Sequence, residues 1–316
     1  MEPIISFRDF SFQYRAQKEP TVRHINLDIM PGERVLIAGP SGSGKSTLGS
    51  CINGLIPFSY AGEVSGSLKV DGVNAPKSSI FELSAHVGTV LQDPDGQFIG
   101  LTVAEDIAFA LENNCTPQRE MHDITRRAAE LVHIEDHLEY APHELSGGQK
   151  QRVSLAGVMV DSVKILLFDE PLANLDPAAG KQTMELIDDI QRQTDTTVLI
   201  IEHRLEDVLW RNVDRIILVD DGEIVADMKP DDLLATDLLQ TNGIREPLYV
   251  TALRYAGVEV TASKRPGRLP DLQLNEADKR RVRDWFLGAA EAERAAQKPP
   301  LLTVSDLSFG YTQERK

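Results

Sequence analysis

The chain of 316 residues is poor in several things, and each shortage excludes something. It has 2 cysteines, Cys51 and Cys115, too few for a disulfide framework or a cysteine metal site. It has no run of 18 apolar residues, so no stretch reads as a membrane-spanning helix. Its first residues, M-E-P-I-I-S, carry neither the basic segment nor the apolar core of a secretory leader, and a reduced cytoplasmic setting is the expectation. Positive charge is also short. Lys and Arg number 33 against 49 Asp and Glu, for a net charge of −16. A main role on nucleic acid would call for a basic face, and adsorption to anionic lipid would too.

What is present centres on Val35–Leu48, V-L-I-A-G-P-S-G-S-G-K-S-T-L. An apolar strand-like run leads into Gly39, Pro40, Ser41, Gly42, Ser43, Gly44, Lys45 and Ser46, which fit G-x-x-x-x-G-K-[ST]. Glycines let successive backbone N–H groups turn inward toward phosphate oxygens, and the helix opening at Thr47 adds the positive end of its dipole. The pattern assigns Lys45 to the β- and γ-phosphates and the Ser46 hydroxyl to Mg²⁺.

Along the rest of the chain, apolar strand patterns at 4–12, 66–70, 87–91, 165–168, 198–201, 216–219 and 223–226 alternate with helical ones. Helical spacing covers 102–111, with Thr102 and Glu105 as a capping box, then 125–133, the run opened by Leu145-Ser-Gly-Gly-Gln149, and 181–193. Alternation of this kind predicts an α/β fold with a mostly parallel sheet covered by helices. After about residue 229 the pattern becomes short helices, a basic stretch at 261–270, one long helix at 275–296 and a Pro-Pro linker at 299–300. Leu301–Tyr311 then echoes Ile4–Tyr14, with Asp306, Ser308, Phe309 and Tyr311 matching Asp9, Ser11, Phe12 and Tyr14. The echo reads as the first strand of a second copy of the same module at 301–316.

Three motifs, the phosphate loop, L-S-G-G-Q-K-Q-R at 145–152 and the apolar strand ending in Asp169-Glu170, occur in an order and spacing that strongly resemble the ATP-binding cassette (ABC) ATPases over about residues 4–228. The resemblance implies a P-loop ATPase with a mostly parallel core sheet, an antiparallel β subdomain, a helical subdomain at about 93–160 and a small C-terminal extension at 229–298. It implies ATP and Mg²⁺ as cofactors. Asp169, closing a buried strand, can hold Mg²⁺ directly or through water, and Glu170 is placed as general base for the attacking water. In the family, two such domains meet head to tail, so Ser146, Gly147, Gly148 and Gln149 of one close on the γ-phosphate held by the other. Gln92 matches the Q-loop glutamine that contacts Mg²⁺ or water, Asp176 the D-loop residue at the domain interface, and His203 the switch histidine. Tyr14 fits the aromatic that stacks on adenine, with core packing as the alternative.

Within the family, Gln92-Asp-Pro-Asp-Gly-Gln97, T-V-A-E-D-I-A-F and Ile201-Glu-His-Arg-Leu-Glu-Asp207 look like the ATPases of energy-coupling factor (ECF) importers. Those importers take up vitamins, vitamin precursors such as thiamine-related ones, or metal ions in bacteria and archaea. The implied partners are a second ABC domain, an integral membrane coupling subunit and a substrate-binding membrane subunit, at the cytoplasmic face of the membrane, and no nucleic acid. Asp93 and Asp95 are expected either to pair with an arginine of the coupling subunit or to cap the following helix. Asn174 and Phe98 depart from the usual residues. A tandem ATPase acting on ribosomes or DNA is the alternative.

Overall fold

In the computed structural model, residues 2–93, 96–161, 163–173, 175–295 and 301–308 are described. The expectations for Asp95, Asn174 and the Pro-Pro linker, and for Phe309 and Tyr311, fall outside them.

Among the described residues, ten strands form two sheets. β1 (Ile5–Tyr14), β2 (Val22–Ile29), β4 (Gly62–Val70) and β5 (Val73–Asn74) make an antiparallel sheet in the order β2-β1-β4-β5. β3 (Arg34–Ala38), β6 (Val87–Val90), β7 (Ile165–Asp169), β8 (Thr197–Ile201), β9 (Arg215–Asp220) and β10 (Glu223–Met228) make the other, ordered β10-β9-β3-β8-β7-β6. Its five strands from β9 to β6 are parallel, and β10 adds an antiparallel edge through the hairpin at Asp220-Asp221-Gly222. β3 and β8 are buried along their whole length, which is why they read as continuous apolar runs and not as alternation.

One apolar cluster joins the sheets. Phe7, Phe10 and Phe12 of β1 meet Val35, Ile37, Leu48, Leu167, Leu199 and Ile201. Phe7 and Phe10 are an odd number of residues apart, so an unbroken strand would send one of them outward. A bulge between Arg8 and Ser11 resets the register, with Asp9 at φ 44°, and both rings turn inward at 5.3 Å, edge to face. Gly66 crosses opposite, at φ 75°, where a Cβ would lie 2.2 Å from the Asp9 carbonyl oxygen.

Between β6 and β7 the chain is helical. The helix Val103–Asn113 carries the expected capping box of Thr102 and Glu105. The next, Gln118–Leu131, starts earlier than its apolar spacing indicates. Its first turn, Gln-Arg-Glu-Met, buries nothing, and the buried face begins only at Thr125. The helices Gly147–Met159 and Pro177–Thr194 flank β7 in sequence.

By its contacts the chain divides into two compact units, residues 1–251 with 260–273, and 252–259 with 274–316. In the first, the short helix Pro230–Leu234 packs on β9 and β10, so contacts continue past residue 228. In the second, the helix Glu276–Ala295 covers most of the expected 275–296, and the Trp285 ring lies 6.4 Å from that of Tyr255. Residues 301–308, read from sequence as a strand, form none and are exposed. β1, which they echo, is held as a strand by β2 and β4 on its two edges.

Candidate functional site

The phosphate loop leaves the carboxyl end of β3 and runs into the helix Lys45–Ile52. Gly44 stands at its N-cap with φ 101°, open to glycine and strained for other residues. Lys45 is buried, and its Nζ donates to the carbonyls of Gly39 at 2.9 Å and Pro40 at 2.7 Å. Burial pushes its ammonium below the ordinary lysine range, against the opposing pull of Glu170, Asp169 and Glu202. Ser43 N–H closes the turn onto the Pro40 carbonyl at 3.3 Å, over Ser41 and Gly42. Thr47 Oγ1 lies 3.2 Å from the Tyr14 hydroxyl, and the Tyr14 ring packs edge to face on Phe12 at 4.8 Å. Tyr14 thus sits beside the loop and is only partly buried.

β7 and β8 bring the acids. Ser46 Oγ donates to Asp169 Oδ1 at 3.1 Å. Burial holds the Asp169 carboxyl above the usual range, against the Ser46 hydrogen bond and with the Glu170 charge adding to the rise. Glu170 follows at φ 49°, its N–H on the Ile201 carbonyl at 2.9 Å. Its Oε2 accepts from Gln92 Nε2 at 2.7 Å, and its Oε1 lies 4.0 Å from His203 Nδ1. Gln92, Glu170 and His203 therefore converge, as do Ser46 and Asp169.

Sequence reading passed over the residue that ties these strands together. Glu202 is fully buried. Its Oε1 accepts from the N–H groups of His203 at 2.8 Å and Arg204 at 3.1 Å, and lies 3.1 Å from His203 Nδ1. Its Oε2 accepts from Leu172 N–H at 3.2 Å, and Arg204 Nη1 donates to the Leu172 carbonyl at 2.7 Å. A glutamate directly after the apolar run 198–201 was the available signal, since a carboxylate there must find donors or be costly.

Ser146, Gly147, Gly148 and Gln149 lie apart from this cluster. They line a cleft of about 410 Å³ with His133, His137, Arg152 and Asp176, and no residue of the phosphate loop lines it. Ser146 caps the helix Gly147–Met159 in a capping box with Gln149. Asp176 caps the helix Pro177–Thr194 by accepting from Ala178 and Ala179 N–H at 2.8 and 3.0 Å.

Gln97 braces the loop after β6, its Oε1 accepting from Leu91 N–H at 3.1 Å. Leu91, Ile99, Leu101 and Phe109 are exposed, and Phe98 is half-buried. No group of three or more metal-binding side chains occurs among the described residues. The Ser46 hydroxyl and Asp169 carboxylate do form an oxygen donor pair suited to Mg²⁺ completed by phosphate oxygens and water.

A P-loop between parallel strands, acids at the strand ends and a capped L-S-G-G-Q helix define an ABC-type ATPase fold, and over residues 22–173 the chain matches the ATPase domain of the ABC transporter family. The profile of that family, described as ABC transporter, matches residues 22–173, and one described as ATP-binding cassette cobalt transporter matches 236–309. An ABC transporter ATP-binding protein of Clostridium perfringens is 54% identical over 312 residues, 99% of this chain and 55% of its own length. One of Photobacterium profundum is 54% identical over 307 residues, 97% of this chain and 54% of its own. The chain spans about half the length of the curated relatives it matches. Among solved structures, cbiO1 of Clostridium perfringens, part of the ABC transporter complex cbiONQ, matches with TM-score 0.69 and 28% identity over 80% of this chain and 100% of that one. The cassette MJ0796, solved as a dimer in a post-hydrolysis state with ADP and Pi, matches with TM-score 0.62 and 26% identity over 71% and 98%. No described helix is long and apolar enough to cross a membrane.

Proposed function

We propose that this chain binds and hydrolyses ATP to power an ECF-type importer, with a metal ion or a vitamin or its precursor as cargo. The observation that carries the ATPase reading is the convergence of Gln92, Glu170 and His203 beside the Ser46–Asp169 pair, at the ends of adjacent parallel strands. The second profile, over 236–309, and the likeness to cbiO1 support the importer class.

Phosphoryl transfer to water needs positioning and charge neutralisation more than covalent chemistry. The phosphate loop would bind the nucleotide through its backbone N–H groups. Lys45 would exchange the Gly39 and Pro40 carbonyls for phosphate oxygens, which suits an ammonium that burial has made costly. Ser46 and Asp169 would hold Mg²⁺, which neutralises phosphate charge. Glu170 takes the proton of the attacking water, Gln92 holds the Glu170 carboxylate in place, and His203 donates to the γ-phosphate. Tyr14 stacks on adenine. Ser146, Gly147, Gly148 and Gln149, with Asp176, serve the nucleotide of a paired cassette, in keeping with a cleft that the phosphate loop does not share.

We assign residues 1–228 to the cassette, 229–298 to an extension and 301–316 to the start of a second cassette. The exposed Leu91, Ile99 and Leu101 fit the docking of an integral membrane coupling subunit, itself joined to a substrate-binding membrane subunit, at the cytoplasmic face. The test is reconstitution of the whole protein with the membrane proteins encoded beside it. ATP-dependent accumulation of cobalt or of a thiamine precursor is expected. Turnover that responds to ribosomes or DNA and not to membrane subunits would sink the importer reading.

A further inference from the structure

The hydrogen bonds around Gln149 leave no freedom in who donates. Ser146 N–H lies 2.8 Å from the Gln149 side-chain oxygen, and Gln149 N–H returns a bond to Ser146 Oγ at 3.4 Å. A backbone N–H only donates, so the Gln149 atom facing it is the carbonyl oxygen. That turns the amide NH₂ onto His137 Nε2, 2.8 Å away. An NH₂ also only donates, so His137 must offer a lone pair at Nε2 and carry its proton on Nδ1. Nδ1 is buried, with no hydrogen-bond partner among the described residues.

An imidazolium bears N–H at both nitrogens. Protonation of His137 would set two donors against each other across 2.8 Å. Turning the amide relieves the clash but faces Ser146 N–H with another donor, and the capping box opens. We propose that His137 is a positioning residue and proton sensor of the L-S-G-G-Q helix: neutral, it holds the Ser146 end closed, and protonated, it releases it. This rests on the reading that Ser146–Gly148 serve a nucleotide.

The charged and titratable groups near His137 come from several elements. His133 from the turn after the helix Gln118–Leu131, Arg152 from the L-S-G-G-Q helix and Asp176 from across share the cleft. Arg152 is bound to the carbonyls of Val132 and His133, and Asp176 is committed to its own helix cap. Glu135 and Asp136 precede His137 on its own turn, and the Tyr140 ring covers it at 5.1 Å. The histidine ion pairs found among the described residues belong to His24, His86 and His203.

The variant His137→Gln keeps an acceptor in the same place that no proton can block. Between about pH 8 and about pH 6, parent ATP turnover should fall about five-fold more than that of H137Q, the size of one lost helix cap. Over the same range the Ser146 amide should lose hydrogen-exchange protection in the parent and keep it in H137Q. Nitrogen-15 NMR of the histidine-labelled parent should show the proton of His137 on Nδ1 at the alkaline end. A proton on Nε2 there, or equal pH ratios for parent and H137Q, would overturn the proposal. A parent without any turnover would overturn the ATPase reading instead, and the tautomer and the Ser146 protection would still decide on His137.

Discussion

At the amino end of the parallel strands, Arg34 enters β3 with its charge fully matched. Its Nη1 pairs with Asp188 at 2.7 Å and donates to the Asn212 carbonyl at 2.9 Å, while Nε donates to Gln191 at 2.6 Å. Both Arg34 and Asp188 are buried. At the carboxyl end of the same strands, Asp169 is held above its ordinary range by burial, Lys45 below its own, and Glu170 occupies a left-handed backbone conformation. One end settles its charges within the protein. The other leaves them costly, as suits the binding of phosphate and Mg²⁺ proposed for that end.

Four substitutions sharpen or break that contrast. Glu170→Gln keeps the shape but cannot take a proton, so hydrolysis should drop by roughly 10²–10⁴-fold while ATP binding stays within a few-fold, read by single-turnover assay and nucleotide titration. Normal turnover would remove Glu170 from the chemistry. At the opposite end, Asp188→Ala strands a buried guanidinium and should cost about 3–5 kcal/mol in denaturant unfolding. A loss well below that would mean that Gln191 and the Asn212 carbonyl satisfy Arg34 alone, and the contrast would fail.

Glu202→Gln sets an NH₂ against at least one of the N–H groups of Leu172, His203 and Arg204. About 1–3 kcal/mol of stability should go, and turnover should fall with it, because Glu202 spans the segment after Glu170 and the one holding His203. Unchanged values in both assays would show that the bridge is dispensable.

The smallest effect carries the opposite sign. A folded-state carboxyl held above its unfolded range favours the folded form when protonated, and that contribution is lost as pH rises through the raised value. At neutral pH, ionised Asp169 therefore works against folding. Asp169→Asn should stabilise the nucleotide-free protein by about 1 kcal/mol near neutrality, and the gain should fade as pH falls into the ordinary carboxylate range. The same change should weaken Mg²⁺-dependent nucleotide binding. A melting temperature that does not rise would contradict the cost assigned to this acid.

The helix Gln118–Leu131 marks where reading along the chain stops working, and the segment 301–308 shows what such a reading leaves open. The helix began before its apolar face did, because a solvated first turn has no burial to announce it. Residues 301–308 have a strand composition like that of β1 yet form none, because a strand is completed by neighbours and not by its own side chains.

The phosphate loop, the Thr102–Glu105 capping box, the Asp220-Asp221-Gly222 hairpin and the apolar runs that became β3, β7 and β8 were legible because each is decided within a few residues. Backbone angles, caps and side-chain period are local properties. The bulge that turns both Phe7 and Phe10 inward, the burial of Glu202 between strand ends, and the hydrogen bond from Gln149 to His137 were decided only by the tertiary structure. Each depends on which distant segment arrives alongside. What a donor or a carboxylate does is set by the partner it meets there, and no spacing along the chain names that partner.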